Sequence, residues 1–192
     1  MARLNYVKSF RGTTKTEDGC LVCEKCHSKI QPGDSYQWWA NRLPGQRSSI
    51  RRIRCASCSP RLSERTPGRA GQLLSIQENV ADQLGEFGGE ADDLEMIVQD
   101  AADSIREIAE ELRESAQNIE EGFGHPTSTS EELEERAESI SGQCDEIEGI
   151  YIPDPPEKDE EGDEDAFQNE YDSWRDEAIS LVEDAISEVD LY

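Results

Sequence analysis

Apolar positions follow two different rhythms along this chain. From Leu73 onward they recur every three or four residues: Leu73, Val80, Leu84, Phe87, Ala91, Leu94, Val98, Ala101, Ile105, Ile108, Leu112 and Ile119, with Gln77 and Ser115 as polar exceptions. That spacing keeps one face of an α-helix apolar. Gly85, Gly88 and Gly89 interrupt it, so the pattern predicts a helix over residues 70–84, a glycine hinge, and a long helix over 90–121. Gly122-Phe123-Gly124-His125-Pro126 stops the long helix by a glycine C-cap followed by a proline. Ser128 with Glu131, or Thr129 with Glu132, offers a capping box for the next helix. Along it Leu133, Ala137, Ile140, Cys144, Ile147 and Tyr151 keep four-three spacing. The short connection predicts an antiparallel hairpin with Cys144 as a core thiol on its seam. Pro153-Asp154-Pro155-Pro156 ends that helix, and an acidic run over 157–165 reads as a solvated linker. Phe167, Tyr171, Trp174, Ala178, Leu181, Val182, Ala185 and Val189 mark a last helix expected to pack on the hairpin.

Before Leu73 the rhythm is that of strands. Leu4, Tyr6 and Phe10 suggest a short strand. Residues 35–40 are rich in aromatics and 49–55 in Ile and Arg, and Asn41-Arg42-Leu43-Pro44-Gly45-Gln46 breaks them, which predicts a β-hairpin. Because side chains alternate along a strand, Tyr36 and Trp38 share one face and Trp39 takes the other; Arg52 and Arg54 go with Ile50, and Arg51 with Ile53. Both faces of the ribbon thus carry cations. Pro60-Arg61-Leu62-Ser63-Glu64-Arg65-Thr66-Pro67-Gly68-Arg69 reads as a basic connector leaving this unit.

The cysteines change the picture more than any other residue type. Cys23-x2-Cys26 and Cys55-x2-Cys58 supply four thiolates from two short turns, the requirement of a closed tetrahedral zinc site. Cys20, Cys23 and Cys26 form a continuous Cys-x2-Cys-x2-Cys run, so any two of them could be ligands. Cys23 and Cys26 are preferred because the turn-forming Lys29-Ile30-Gln31-Pro32-Gly33-Asp34 follows them. Cys20 is then a spare thiol or an alternative ligand. Cys23-x2-Cys26-His27 also matches the haem-attachment pattern, but a second Cys-x2-Cys downstream favours zinc. With four sulfurs filling the shell, His27 is expected at the surface.

Charge separates the same two regions. Residues 1–72 hold fourteen Lys and Arg against five Asp and Glu, whereas residues 73–192 hold five against thirty-nine, giving the chain its net charge of −25. Trp38 and Trp39 beside Arg51, Arg52 and Arg54 suit single-stranded nucleic acid, since bases stack on rings while guanidinium groups meet phosphate. The same tryptophans would equally serve to fill a core too small to close otherwise. The three acidic helices carry net charges of −10, −7 and −7 over 90–121, 131–149 and 166–190. Side by side along about 48 Å they would present roughly one charge per 2 Å, near the roughly 1.7 Å of duplex DNA. Nucleic-acid mimicry is therefore possible in magnitude, and a solvated helical exterior accounts for the same charges.

Two histidines away from any nucleophile, and a metal shell with no open position for water, argue against an enzyme. The start of the chain has no apolar signal core and no segment is apolar enough to span a bilayer, so a soluble, cytoplasmic protein with reduced thiols is expected.

Lys29-Ile30-Gln31-Pro32-Gly33-Asp34-Ser35-Tyr36 followed by Trp38-Trp39, the Pro60-Arg61-Leu62-Ser63-Glu64-Arg65-Thr66 tail, and the Glu120-Glu121-Gly122-Phe123-Gly124-His125-Pro126-Thr127 turn together resemble a group of small zinc-finger and acidic-helical proteins of tailed bacteriophages. That resemblance implies the cytoplasm of an infected bacterium. The finger looks like a treble clef or zinc ribbon. Its spacing is similar to that of the nick-sensing fingers of poly(ADP-ribose) polymerases, which have histidine where Cys55 stands. The expectation is a small α+β zinc finger over 1–70, an all-α acidic helical hairpin over 71–152, a linker over 153–165, and a C-terminal helix over 166–192 completing a three-helix bundle. Function is expected to be non-enzymatic: a head held by structural Zn2+ that binds nucleic acid, with a body for self-association or for a host or phage protein. The alternative is an interaction module or DNA-mimic inhibitor acting through the acidic helices.

Overall fold

The computed structural model describes residues 1–13, 18–41, 50–157 and 163–191. The turn expected at 41–46, apart from Asn41, and part of the 157–165 linker lie outside them. The chain divides into two units, Met1–Ser75 and Ile76–Tyr192, here the head and the body.

The described residues of the head form five short strands and a one-turn helix: β1 (Asn5–Val7), β2 (Leu21–Val22), β3 (Lys29–Ile30), β4 (Tyr36–Asn41), β5 (Ile50–Cys55) and α1 (Leu62–Arg65). β1, β4 and β5 form an antiparallel sheet in that order, and β2 pairs with β3. The hairpin register sets Tyr36 opposite Cys55, Trp38 opposite Ile53 and Ala40 opposite Arg51 on one face, with Gln37 opposite Arg54 and Trp39 opposite Arg52 on the other. Val7, Phe10, Leu21, Cys23, Ile30, Tyr36 and Ile53 make the first face's core, where Phe10 meets Tyr36 edge-on at 5.6 Å. Tyr6, expected to pack inward with Leu4 and Phe10, is instead 71% exposed. Alternation along β1 gives the inward position to Val7.

The second face is closed by the segment after β5, which therefore does not leave the head as a connector. Glu64 of α1 lies over it: its carbonyl accepts from Trp39 Nε1 at 3.0 Å and from Asn41 Nδ2 at 2.9 Å, and its carboxylate pairs with Arg54 and accepts from the Arg61 amide. Arg65 is in turn tied to the chain's start, its guanidinium donating to the Ala2 carbonyl. Gly71, in the first turn of α2 (Arg69–Gly85), sits so close to the Thr66 carbonyl that a Cβ would collide with it.

In the body, α2 runs on into α3 (Ala91–Phe123), α4 (Ser128–Glu148) and α5 (Glu164–Ser187). Gly89 ends the expected hinge at a φ of +104°, and a Cβ there would strike the Tyr171 hydroxyl, so both conformation and space demand glycine. α3 and α4 are antiparallel, as cross-links at Arg106 to Glu148, Arg113 to Ser141 and Glu120 to Ser130 show. α3 ends at Gly124 in the left-handed region. The capping box of α4 is neither of the two expected: Thr127 is the N-cap, exchanging hydrogen bonds with Ser130. Ser130 is completely buried and also donates to the Glu120 carboxylate.

The buried side of α3 takes in Ala102, Ala109 and Ala116, spaced by seven, besides Leu94, Val98, Ala101, Ile105, Ile108 and Leu112. A face this wide is what a helix needs when more than one neighbour covers it. α4 contributes Ala137, Ile140, Cys144 and Ile147. Tyr151, expected to continue that seam, is 75% exposed because the helix stops at Glu148 with Gly149 as its C-cap. α5 runs back along α2: Gln77 donates to the Ile186 carbonyl, while Tyr171 and Arg175 donate to the carbonyls of Gly89 and Phe87. Trp174, Ala178, Val182 and Ile186 are its buried positions, Val189 is buried just past its end, and Trp174 Nε1 donates to the Pro153 carbonyl. Among the described residues, no helix is long and apolar enough to cross a membrane.

Candidate metal centre

Two turns meet at one end of the head's sheet. The first joins β2 to β3. Cys23 opens it, the His27 amide closes back on the Cys23 carbonyl at 2.9 Å, and the Cys23 amide donates to the Ser28 carbonyl at 3.0 Å. His27 sits there with a φ of 57°, the left-handed geometry this turn imposes after its second cysteine. It is exposed, as expected. The second turn follows β5, with the Cys58 amide donating to the Cys55 carbonyl at 3.1 Å.

Glu24 fastens the two turns together. Its amide donates to the Ile53 carbonyl at 3.0 Å, and its carboxylate accepts from the Ile53 amide at 3.2 Å and from Arg52 at 3.1 Å. The first knuckle thereby satisfies the outer edge of β5, which would otherwise be an open strand edge.

The result gathers the sulfurs of Cys23, Cys26, Cys55 and Cys58 within 4.8 Å of one another. Cys26 and Cys55 are 3.7 Å apart, and all four thiols are free. A tetrahedron with metal–sulfur bonds of about 2.3 Å has edges of about 3.8 Å, whereas a disulfide needs about 2.05 Å. The cluster therefore has the dimensions of a tetrathiolate metal shell.

The electrostatics fit anionic sulfur. Burial pushes the Cys23 thiol up, but amide donors from Cys26, Cys55 and Lys25 outweigh it and hold the thiol below its ordinary value. The Ser28 hydroxyl, 2.9 Å from Cys26 Sγ, is the main cause that brings Cys26 down to about 6. Cys58 is pushed up to about 12, chiefly by Cys55 beside it. Four thiols at this range cannot all ionise without a cation among them, and a divalent metal supplies it. Cys20 lies outside the cluster, its sulfur 3.4 Å from the Asp18 carbonyl. Cys144 is fully buried in the body, where burial raises its pKa.

The tryptophans and arginines singled out in the sequence separate into two sets. Trp39 is 1% exposed and hydrogen-bonded to Glu64; Arg54 is 7% exposed, pairs with Glu64, and lies 5.5 Å from the Trp39 ring centre. Both were expected to touch nucleic acid, and both are instead interior. Arg51 is exposed, and Trp38 is half-buried, packed against the core cluster of the first face. Arg51 lies 4.3 Å from the Trp38 ring centre, and its Nη2 donates to the Tyr36 hydroxyl at 2.9 Å. Arg52 is exposed but engaged by Glu24.

The signal missed in the sequence was Glu64. It stands three residues after Arg61 at the start of a short helix, a spacing at which its carboxylate reaches back to the Arg61 amide. No family model, no curated protein and no solved structure matches the chain.

Proposed function

We propose that this is a non-enzymatic binding protein whose head is held by one structural Zn2+ on Cys23, Cys26, Cys55 and Cys58 and takes single-stranded nucleic acid on its surface. The observation that carries the reading is the exposed Arg51 guanidinium laid 4.3 Å over the half-buried Trp38 ring, while the interior Trp39 and Arg54 serve the fold. A planar cation on a ring is a ready partner for bases and phosphates together. With no open position, the metal shapes the head and takes no part in chemistry. On the phage likeness, the protein would act in the cytoplasm of an infected cell.

Fluorescence anisotropy with labelled single-stranded oligonucleotides, stepped through salt, tests this. Affinity should fall linearly with salt on logarithmic axes, and Arg51→Ala with Arg52→Ala should flatten the slope by about 1.4, at about 0.7 per phosphate contact. A salt-independent signal, or no binding, overturns the reading.

A second reading rests on the body's charge: the acidic helices pair with themselves or occupy a basic surface of a host or phage protein, in the sharpest form as a DNA mimic. Capture of a partner that free DNA competes off supports it.

A further inference from the structure

We infer that the head has a second, base-sized subsite, a groove of about 310 Å3 at the end of the sheet whose walls are Tyr6, Val7, Lys8, Tyr36, Gln37 and Ala56. The inference rests on the nucleic-acid reading above and names where an unstacked base would go. The groove is at the lower end of the size range of ligand pockets, and its polar side chains are those of Lys8, Ser35 and Gln37 besides the tyrosine hydroxyls. Tyr6 stands at its mouth, 71% exposed, on a strand where alternation leaves its ring nothing of the core to cover. Lys8, two residues on and exposed, is placed to meet a phosphate.

An aromatic plate, a shallow apolar slot and a flanking cation are the elements with which single strands are held without sequence readout. Three further observations favour a polyanion over an apolar peptide. The first is charge: residues 1–72 hold fourteen cationic against five acidic side chains. The second is continuity: Tyr36 forms a wall of the groove and also hydrogen-bonds Arg51, which covers Trp38. Tyr36 is itself buried, and Tyr6 shares the face of Gln37 while Trp38 and Arg51 lie on the other, so a strand would join the groove to the Trp38–Arg51 pair by passing round the end of the sheet. The third is Gln37, only 8% exposed, whose amide brings a donor and an acceptor to the wall of the groove. Ala56 belongs to the second cysteine turn, so the metal also fixes this wall.

The test uses the full chain with a labelled oligothymidylate and an abasic oligonucleotide of equal length. The wild type should prefer the base-bearing strand. Tyr6→Ala should weaken oligothymidylate binding by about 5- to 150-fold, the range of one base stack, and leave the abasic strand and the salt slope unchanged. Tyr6→Phe should restore affinity, and Lys8→Ala should flatten the slope by about 0.7. Since Tyr6 is largely solvent-exposed, its variants keep the head folded, which a retained zinc content checks. If Tyr6→Ala matches the wild type on both strands while Arg51→Ala weakens both, the groove is not a base site, although the head still binds nucleic acid. If the wild type binds neither strand, the reading beneath the groove is overturned and the groove with it.

Discussion

Head and body solve the same problem, removing enough apolar surface from water, with opposite resources. The body has helices of 33, 21 and 24 residues in α3, α4 and α5, and most turns of α3 and α4 and of the second half of α5 supply a buried side chain. Its order comes from a repeating local pattern, which leaves the outer faces free to carry almost any charge. The head has strands of two to six residues. Its cohesion comes from pairs distant in sequence: Ala2 with Arg65, Phe10 with Asp34, Trp39 with Glu64, and Cys26 with Cys55. There, charge is part of the structure, as Arg54 on Glu64 and Arg52 on Glu24 show. The difference teaches that the head depends on a few irreplaceable cross-links, whereas the body spreads the task along its helices.

The largest test of that contrast is metal removal. Structural zinc contributes on the order of 10 kcal/mol at neutral pH in small finger units, more than the head can lose. A strong chelator should collapse the head, seen as lost protection of amides in β4 and β5 from hydrogen exchange, while the helical circular dichroism of the body stays in place. Loss of both together would mean the two units do not stand on separate supports.

Next in size is Trp39→Ala. Emptying a site that is 1% exposed should cost about 3–5 kcal/mol and loosen zinc retention, whereas Trp38→Ala at the partly exposed neighbouring position should cost distinctly less. Equal costs would deny that the face of Trp39 is the more tightly closed of the two.

In the body, Ala109→Leu places a larger side chain at a completely buried position and should lower stability by about 1–3 kcal/mol. The effect should appear in the helical melt and leave zinc affinity unmoved. The smallest effect concerns Glu148, whose carboxylate accepts from Arg106 at 2.8 Å and from Gln99 at 3.0 Å. The Arg106 contact is the main reason it is held below its ordinary value of 4.5. A carboxyl depressed by folding stabilises the fold above its unfolded pKa, and the contribution is lost as pH falls through the folded value. The melting difference between wild type and Glu148→Gln should therefore be present at neutral pH and vanish well below pH 4.5.

What could be read from sequence follows the same division. Leu94, Val98, Ile105, Ile108 and Leu112 announce their buried face because helical period and burial coincide over many turns. Ala102, Ala109 and Ala116 were missed, since a small residue signals a close neighbour only once the neighbour is known. Tyr151 was misplaced because a periodic pattern runs past the residue where Gly149 ends the helix. In the head, the paired cysteines were legible from spacing alone. The burial of Trp39 and Arg54 was not, because it depends on Glu64 arriving from a segment rich in proline and arginine that reads as a tether. Alternation put Trp38 and Trp39 on opposite faces, but nothing local says that both faces are covered, or which the more closely.

The account depends most on four sulfurs closing around one metal ion. X-ray absorption at the zinc edge of the purified full chain, with metal content measured on the same sample, tests that directly. The account predicts one zinc per chain in a shell of four sulfurs at about 2.3 Å. Metal-free protein with an ordered head, or a shell holding nitrogen or oxygen donors, would contradict it.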